Sequence, residues 1–272
     1  MGKISNAIDK YKAEKQASKP VEHVFIPQRI KVEEPEVVFA KEYLKEQRYS
    51  DKLVAVLAPD SVTAEMFKVI RGMILYDKDR PAPKAIIVTS TFPGEGKTFV
   101  ASNLAVSFAM GLNENVLLVD ADLRRPAIHE IFGYINEYGL SEHLQGGKNI
   151  PELLIKTKIK KLTLLLSGKP PSNPVELLSS KKMEEFIKET KDRYQDRFII
   201  IDAPPSQLTA ETNVMANHVD GIILVVMNGK TPRAVIQQTV ENLGREKVLG
   251  IIFNGFAQSY KAYNKYYRKY YK

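Results

Sequence analysis

Short apolar runs rich in branched side chains alternate along the chain with segments of helical periodicity. The apolar runs lie at residues 86–89, 116–120, 162–166, 198–202, 221–226 and 248–253. The helical segments lie at residues 98–110, 181–194, 211–216 and 232–243. Continuous apolar runs of this length indicate strands that are buried on both faces. Their alternation with helices predicts a mostly parallel, doubly wound α/β sheet with helices on both faces, which binds ligands beyond the carboxyl ends of its strands.

The pattern divides the chain into three parts. Residues 1–50 are charged, contain three prolines and lack sustained periodicity, so we predict a partly disordered arm there. Residues 51–256 hold the apolar alternation and are predicted to form one domain. Residues 257–272 are basic and rich in tyrosine, and we expect a flexible tail.

The composition excludes several classes of protein. With 272 residues, 44% of them hydrophobic, the chain can bury a sizeable core and is not wholly disordered. The absence of cysteine excludes a disulfide scaffold, a thiolate zinc site, an iron–sulfur cluster and a cysteine nucleophile. No stretch reaches the roughly 18–20 apolar residues of a membrane span, and the N-terminal segment lacks the apolar core of a signal peptide, so we expect a cytoplasmic protein. The net charge of +8 includes five basic residues of the acid-free tail, so it does not require a basic globular surface.

The segment 89–98, TSTFPGEGKT, has the features of a phosphate-binding loop between a predicted strand and a predicted helix. Its glycines allow backbone N–H groups to surround phosphate oxygens, and the start of the helix adds free N–H donors and a positive dipole. We expect Lys97 to reach the β- and γ-phosphates and the Thr98 hydroxyl to ligate Mg²⁺. The usual pattern has glycine at the position of Thr91, and an ordinary strand-to-helix turn is the alternative. The nucleotide-binding residues predicted from this segment are Pro93, Gly94, Glu95, Gly96, Lys97, Thr98 and Phe99.

Acidic residues follow two other predicted strands. Asp120 and Asp122 are two residues apart at the end of one strand, so their side chains point to the same side. Asp202 follows an apolar run in the form expected of a Walker B element. Because Mg²⁺ prefers hard oxygen ligands, we predict that Asp122, Asp202 and Thr98 hold the metal, directly or through water. Alternatively, a strand-end aspartate caps the next helix.

These motifs, in this order, resemble those of the bacterial tyrosine kinases of capsule and exopolysaccharide systems. That family combines T-S-x-x-P-G-E-G-K-[ST], apolar-D-x-D-x-R and apolar-D-x-P-P, and the resemblance extends from about Ala58 to the C terminus. The family is related to the deviant Walker ATPases MinD and ParA, which carry a signature lysine at the position of Phe92. A non-kinase ATPase switch and a nucleotide-sensing scaffold are the alternative functions.

The resemblance implies an ATP-dependent protein-tyrosine autokinase with a P-loop fold. It assigns Asp120 to orienting or deprotonating the acceptor tyrosine, although the sequence does not separate Asp120 from Asp122. It assigns Arg124 to the phosphates or to the incoming tail, and Asn254 to adenine. Together with Lys97 and Asp202, these are the predicted catalytic and nucleotide-contacting groups outside the loop.

The tail supplies the expected phosphate acceptors. After Ala262 it contains no aliphatic residue, so its aromatic side chains do not have the pattern of a packed core. We predict that its lysines and arginine attract it to the acidic, nucleotide-filled site of a neighbouring subunit. A single-stranded RNA contact by stacked aromatic rings is the alternative, but we expect no nucleic-acid partner. The predicted acceptors are Tyr260, Tyr263, Tyr266, Tyr267, Tyr270 and Tyr271.

The resemblance also implies partners. Glu65, Lys68 and Arg71 share one helix face and match the family's E-x-x-R-x-x-R subunit-contact helix, with Lys68 in place of the first arginine. A solvated charged stripe is the alternative. We expect a homo-oligomer, such as a ring, together with a separate transmembrane activator of the polysaccharide co-polymerase type and a cognate tyrosine phosphatase. Such an activator would recruit the protein to the inner face of the plasma membrane.

Overall fold

The computed structural model describes residues 48–111, 115–193 and 197–255. The helices are α1 (Val54–Leu57), α2 (Val62–Leu75), α3 (Lys97–Ala109), α4 (Ile128–Phe132), α5 (Leu140–Leu144), α6 (Ile150–Leu153), α7 (Pro174–Leu178), α8 (Lys181–Arg193), α9 (Glu211–Ala216) and α10 (Arg233–Leu243). The strands are β1 (Ala85–Ser90), β2 (Asn115–Asp120), β3 (Leu154–Lys156), β4 (Leu162–Leu165), β5 (Arg197–Asp202), β6 (Gly221–Met227) and β7 (Val248–Asn254). All predicted strands and helices are confirmed, with ends that differ by at most one residue; position 194 lies outside the described residues.

The strands form one sheet in the order β3-β4-β2-β5-β1-β6-β7. All neighbouring pairs are parallel except β3 and β4, which are antiparallel. The central strands end at the same edge, since Asp120 of β2 is aligned with Asp202 of β5, and Asp202 is aligned with Val88 of β1. The parallel α/β sheet predicted from the sequence is therefore confirmed.

The core lies on both faces of this sheet. Alternate residues of β1 point to opposite faces, so that Ile86 packs in one apolar cluster and Ile87 in the other. The first cluster includes Leu104 and Phe108 of α3, and the second includes Phe186 of α8. A sheet covered by helices on both faces leaves the ends of its strands as the natural place for a ligand.

Helix α3, which begins where the phosphate loop ends, packs in the core and holds that end of the loop in position. Nearly all of its residues are buried, and Phe99 in its first turn contacts Phe67 of α2, with ring centroids 5.8 Å apart. No helix among the described residues has the length and apolar character needed to span a membrane.

Candidate active site

Three strand ends and one helix start meet around the ammonium group of Lys97. Lys97 Nζ lies 2.8 Å from Asp122 Oδ2 and 3.3 Å from Asp202 Oδ1. It also lies 3.3 Å from the Thr98 hydroxyl. The structure thus brings together the lysine, the hydroxyl and two of the three strand-end carboxylates that the sequence singles out.

The phosphate loop depends on glycines with left-handed backbone conformations. Gly94 and Gly96 have φ angles of +80° and +94°, in the region that favours glycine. A Cβ atom at Gly96 would lie 2.1 Å from Asn254 Nδ2, so a side chain there would displace Asn254. Gly96 is the residue that precedes α3, and the first N–H groups of that helix have no intrahelical partner.

The carboxylates control the charge of Lys97. Burial disfavours the charged ammonium, but the attraction of Asp202 and then Asp122 outweighs it, so the pKa of Lys97 is raised above its ordinary value. Lys97 therefore remains a cation although it is almost fully buried. A fixed positive charge at the start of a helix suits a phosphate ligand.

Asp120 and Asp122 occupy different positions. Asp120 is fully buried, and its oxygens accept hydrogen bonds from the backbone N–H groups of Asp122 at 3.3 Å, Ala127 at 3.2 Å and Ile128 at 3.1 Å. It therefore holds the start of α4, as a capping carboxylate does. Burial and the nearby charge of Asp202 raise the pKa of Asp120 to about 8, against the opposing effect of Lys97.

Asp202 has one engaged and one unsatisfied oxygen. It is fully buried; Oδ1 lies near Lys97, whereas Oδ2 has no hydrogen-bond partner among the described residues. Burial raises the pKa of Asp202, although Lys97 and the Thr98 hydroxyl act in the opposite direction. An unsatisfied buried carboxylate oxygen next to a threonine hydroxyl fits a Mg²⁺ ion or its bound water.

A cleft of about 900 Å³ opens at this edge of the sheet. The phosphate loop and Asp122 line it, together with residues of α4, with Ser50 and Lys52, and with Pro204, Pro205, Leu208 and Thr209 after β5. Asp120, Asp202 and Glu95 do not line it. The predicted residues that line the cleft are Pro93, Gly94, Gly96, Lys97, Thr98, Phe99, Asp122, Arg124 and Asn254.

Two cleft residues have partners that no sequence motif indicates. Arg124 Nε donates to Glu211 Oε1 at 3.1 Å, and Glu211 is fully buried at the start of α9. Its other oxygen, Oε2, has no hydrogen-bond partner among the described residues. Asn254 Nδ2 donates to the backbone oxygen of Glu95 at 2.9 Å. Both contacts join segments far apart in sequence, so local patterns give no signal for them.

The predicted oligomer-contact residues lie on α2, outside the cleft. Lys68 forms an ion pair with Glu65 and donates to the backbone oxygen of Pro59 at 3.3 Å. Arg71 donates to the backbone oxygen of Ser107 in α3. All three side chains therefore make contacts within one chain. The six predicted acceptor tyrosines, Phe256 and most of the predicted N-terminal arm lie outside the described residues.

Known proteins are similar to this chain in sequence and in fold. A family model described as an AAA domain matches residues 83–244. The tyrosine-protein kinase YwqD of Bacillus subtilis strain 168 is 37% identical over 210 residues, which cover 76% of this chain and 87% of YwqD. The solved chimerical protein CapA2B2 is 31% identical with a TM-score of 0.69, covering 76% of this chain and 90% of that one. MinD from Pyrococcus horikoshii, solved with Mg-ADP, shares the fold with a TM-score of 0.55 and 24% identity, covering 65% of this chain and 72% of that one.

The family model and the loop before α3 define a P-loop protein of the α/β class, and MinD shares its fold. Within that class, the chain belongs to the family of bacterial tyrosine kinases, as the similarity to YwqD shows. It is therefore a protein-tyrosine kinase by family.

Proposed function

We propose that the protein is an ATP- and Mg²⁺-dependent autokinase that phosphorylates the tyrosines of its own residues 257–272. The convergence of Asp122 and Asp202 on Lys97, which lines the cleft together with Asp122, is the observation that carries this proposal. The proposal is also supported by the membership of the chain in the tyrosine-kinase family and by the six tyrosines in its last thirteen residues.

In this proposal the phosphate loop binds the triphosphate of ATP. Its backbone N–H groups and the positive end of α3 face the phosphates, and Lys97 neutralises negative charge on the transferred group. Lys97 then exchanges part of its contact with Asp122 and Asp202 for phosphate oxygens. Asn254 uses its side-chain oxygen for adenine, because its amide nitrogen is engaged by Glu95.

Thr98 and the unsatisfied oxygen of Asp202 are the groups that would hold Mg²⁺ or its water. A metal held there would supply charge neutralisation to the phosphates during transfer. No cluster of three or more acidic or histidine side chains suited to a metal occurs in the described part of the chain. That fits Mg²⁺, which usually retains several waters and binds through one or two carboxylates and the substrate phosphates.

The acceptor hydroxyl meets the side of the cleft that Asp122 lines. An ordinary tyrosine has a pKa near 10, so a nearby carboxylate assists the loss of its proton during transfer. We assign this role, or the binding of metal-held water, to Asp122. Asp120 supports the segment that carries Asp122, and Arg124 contacts the phosphates or the acceptor segment.

We further propose that the protein is cytoplasmic and regulates capsule or exopolysaccharide synthesis together with a membrane-bound activator and a tyrosine phosphatase. The family resemblance supports this. A similar solved protein is a chimera, which is compatible with a kinase that works with a second polypeptide. In this proposal residues 1–50 contact the activator, and Glu65, Lys68 and Arg71 contact a neighbouring subunit.

The test is incubation of the purified full chain with Mg-ATP, followed by phosphotyrosine detection and intact-mass measurement. Lys97→Met and removal of residues 257–272 should each abolish the tail signal. Lys181→Met is the matched control, since Lys181 is 85% exposed and remote in sequence from the loop. Tail phosphorylation by Lys97→Met, made in a host without other tyrosine kinases, contradicts the proposal. ATP hydrolysis without any mass increase would favour an ATPase switch instead.

A mixing experiment tests transfer between subunits. A tail-less protein with an intact cleft is mixed with full-length Lys97→Met protein, which has acceptors but no phosphate-binding lysine. Phosphorylated tails in the mixture are expected if one subunit acts on another. Their absence, when the wild type does phosphorylate itself, assigns transfer to a single chain.

A further inference from the structure

Glu95 belongs to the phosphate loop, but it does not line the cleft. It is only 3% exposed. A buried carboxylate is costly unless hydrogen bonds compensate for the water it has lost. The described residues provide three uncharged donors, which come from two separate segments of the chain.

These donors connect the loop to the neighbouring strand end. Glu95 Oε2 accepts a hydrogen bond from the backbone N–H of Phe92 at 2.8 Å. Glu95 Oε1 accepts from the backbone N–H of Met227 at 3.1 Å and from the hydroxyl of Thr231. With the bond from Asn254 to its backbone oxygen, Glu95 joins the loop to the end of β6, the β6–α10 turn and the end of β7.

Residues 92–94 of the loop are exposed, so few packing contacts hold this part of the loop in place. Glu95 is flanked by two glycines with left-handed conformations, and glycine is the residue type with the greatest backbone freedom. Apart from Gly94 and its two chain neighbours, no described residue has an atom within 4 Å of the position that a Cβ of Gly94 would occupy. The contacts of Glu95 therefore restrict the backbone between Gly94 and Gly96.

We propose that Glu95 is a positioning residue that fixes the loop N–H groups in the arrangement that binds nucleotide phosphates. Glu95 sets the affinity for the nucleotide and leaves the rate of phosphoryl transfer from bound ATP largely unchanged. This inference rests on the nucleotide site of the proposed function, but it does not depend on tyrosine as the acceptor.

Two substitutions weaken the contact between Glu95 and Thr231, one at the acceptor and one at the donor. Glu95→Gln keeps the shape, but its NH₂ group faces hydrogen-bond donors, so at least one of the three bonds is lost. Thr231→Val removes only the hydroxyl donor. Glu185→Gln is the matched control, since it makes the same chemical change at an exposed position on α8.

The experiment measures the Kd of Mg-ADP by calorimetry, and the KM and kcat for ATP, on the full chain. Glu95→Gln should weaken ADP binding and raise KM by about tenfold or more, a factor that corresponds to about 1.4 kcal/mol. Thr231→Val should weaken binding less. The double variant should bind within about twofold of Glu95→Gln alone, because both substitutions remove one shared interaction. The kcat at saturating ATP should stay within about twofold of the wild type.

The inference is overturned if Glu95→Gln binds ADP as tightly as Glu185→Gln does. It is also overturned if the effects of the two substitutions multiply in the double variant, or if Glu95→Gln lowers kcat at unchanged affinity. Thermal unfolding establishes that each variant folds. If Glu95→Gln does not fold, Thr231→Val decides, and unchanged ADP affinity then rejects the inference. A wild-type chain that binds Mg-ADP but forms no phosphotyrosine contradicts the proposed function and leaves this test intact.

Discussion

Arg124 lines the cleft and forms an ion pair with a buried carboxylate. Its side chain is about half exposed, whereas its partner Glu211 is fully buried with one unsatisfied oxygen. A buried carboxylate that loses its cation is destabilising, whereas loss of both charges is much less so. The two residues therefore allow the effects on stability and on activity to be separated.

We predict that Arg124→Ala lowers the free energy of unfolding by about 1–3 kcal/mol, because Glu211 is left without its cation. Adding Glu211→Gln should restore part of that stability, as measured by urea unfolding. Kinase activity should remain low in both variants, since Arg124 contacts the reacting groups in the proposed mechanism. A double variant less stable than Arg124→Ala would show that the charge of Glu211 is compensated elsewhere.

The raised pKa of Asp120 gives a prediction about pH. Asp120 has a pKa of about 8 in the folded protein, compared with an ordinary value of 3.8. Between these values the folded chain binds more protons than the unfolded chain, so the free energy of unfolding decreases as pH rises. The raised pKa of Asp202 also makes the free energy of unfolding decrease as pH rises. Without added nucleotide, the protein should be less stable at pH 8 than at pH 5 by at least about 1.4 kcal/mol, the equivalent of one pKa unit.

Asp120→Asn should reduce this dependence on pH, because the substituted group does not titrate. Asp220→Asn is the control with the same chemical change. The pKa of Asp220 is lowered by Lys191 and by backbone N–H groups against the effect of burial, so its contribution changes only below its ordinary pKa of 3.8. Asp220→Asn should therefore leave the dependence of the free energy of unfolding on pH unchanged between pH 5 and pH 8. Equal slopes in the wild type and Asp120→Asn would contradict the prediction.

At the scale of elements, helix α3 holds the segment before α1 in place. Asn103, which is fully buried, accepts a hydrogen bond from the backbone N–H of Ala55 and donates to the backbone oxygens of Lys52 and Phe99, each at 2.9 Å. Lys52 lines the cleft. One side chain of α3 thus supports a segment that lines the cleft.

Asn103→Ala should lower the free energy of unfolding by about 2–4 kcal/mol, because it leaves buried backbone groups without partners. Ser102→Ala is the neighbouring control. Its hydroxyl is buried and has no hydrogen-bond partner among the described residues, so its removal should be nearly neutral. Chemical denaturation measures both. A loss for Asn103→Ala no greater than that for Ser102→Ala would contradict the role assigned to Asn103.

The long elements could be predicted from the sequence because their periodicity is strong. β1 and β5 are apolar runs that end in polar residues, and α3 begins directly after the glycines of the loop. β3 has only three residues, and α4 has five, so neither contains enough repeats to give a signal.

The candidate site could be predicted only as far as its motifs extend. Lys97 and Asp202 lie at motif positions, and the parallel sheet brings their strand ends together. The different positions of Asp120 and Asp122 depend on the N–H groups at the start of α4, which no spacing rule places there. No sequence motif indicates Glu211, because its contact with Arg124 joins residues that are 87 positions apart in the chain.

At the scale of the whole molecule, the described chain ends beside the cleft. Asn254 lines the cleft and Gly255 is the last described residue, so the remaining 17 residues start at its rim. At about 3.3–3.6 Å per residue, such a segment spans at most about 60 Å, which suffices for its own cleft or that of a neighbouring subunit. We expect the charge of this segment to determine whether it binds a cleft.

The last prediction concerns this charge. Residues 257–272 carry five lysines and arginines and no acid, and each phosphotyrosine adds a charge of about −1.5 to −2. Three phosphates therefore change the segment from basic to nearly neutral, and further phosphates make it acidic. We expect phosphorylation to release a segment that is held at the nucleotide-filled cleft of a neighbouring subunit, and to lower the sedimentation coefficient of any assembly. Sedimentation velocity of the phosphorylated and unphosphorylated protein measures this, with a variant in which the six tail tyrosines are replaced by phenylalanine as the control. Identical sedimentation coefficients for all three would show that tail charge does not control assembly.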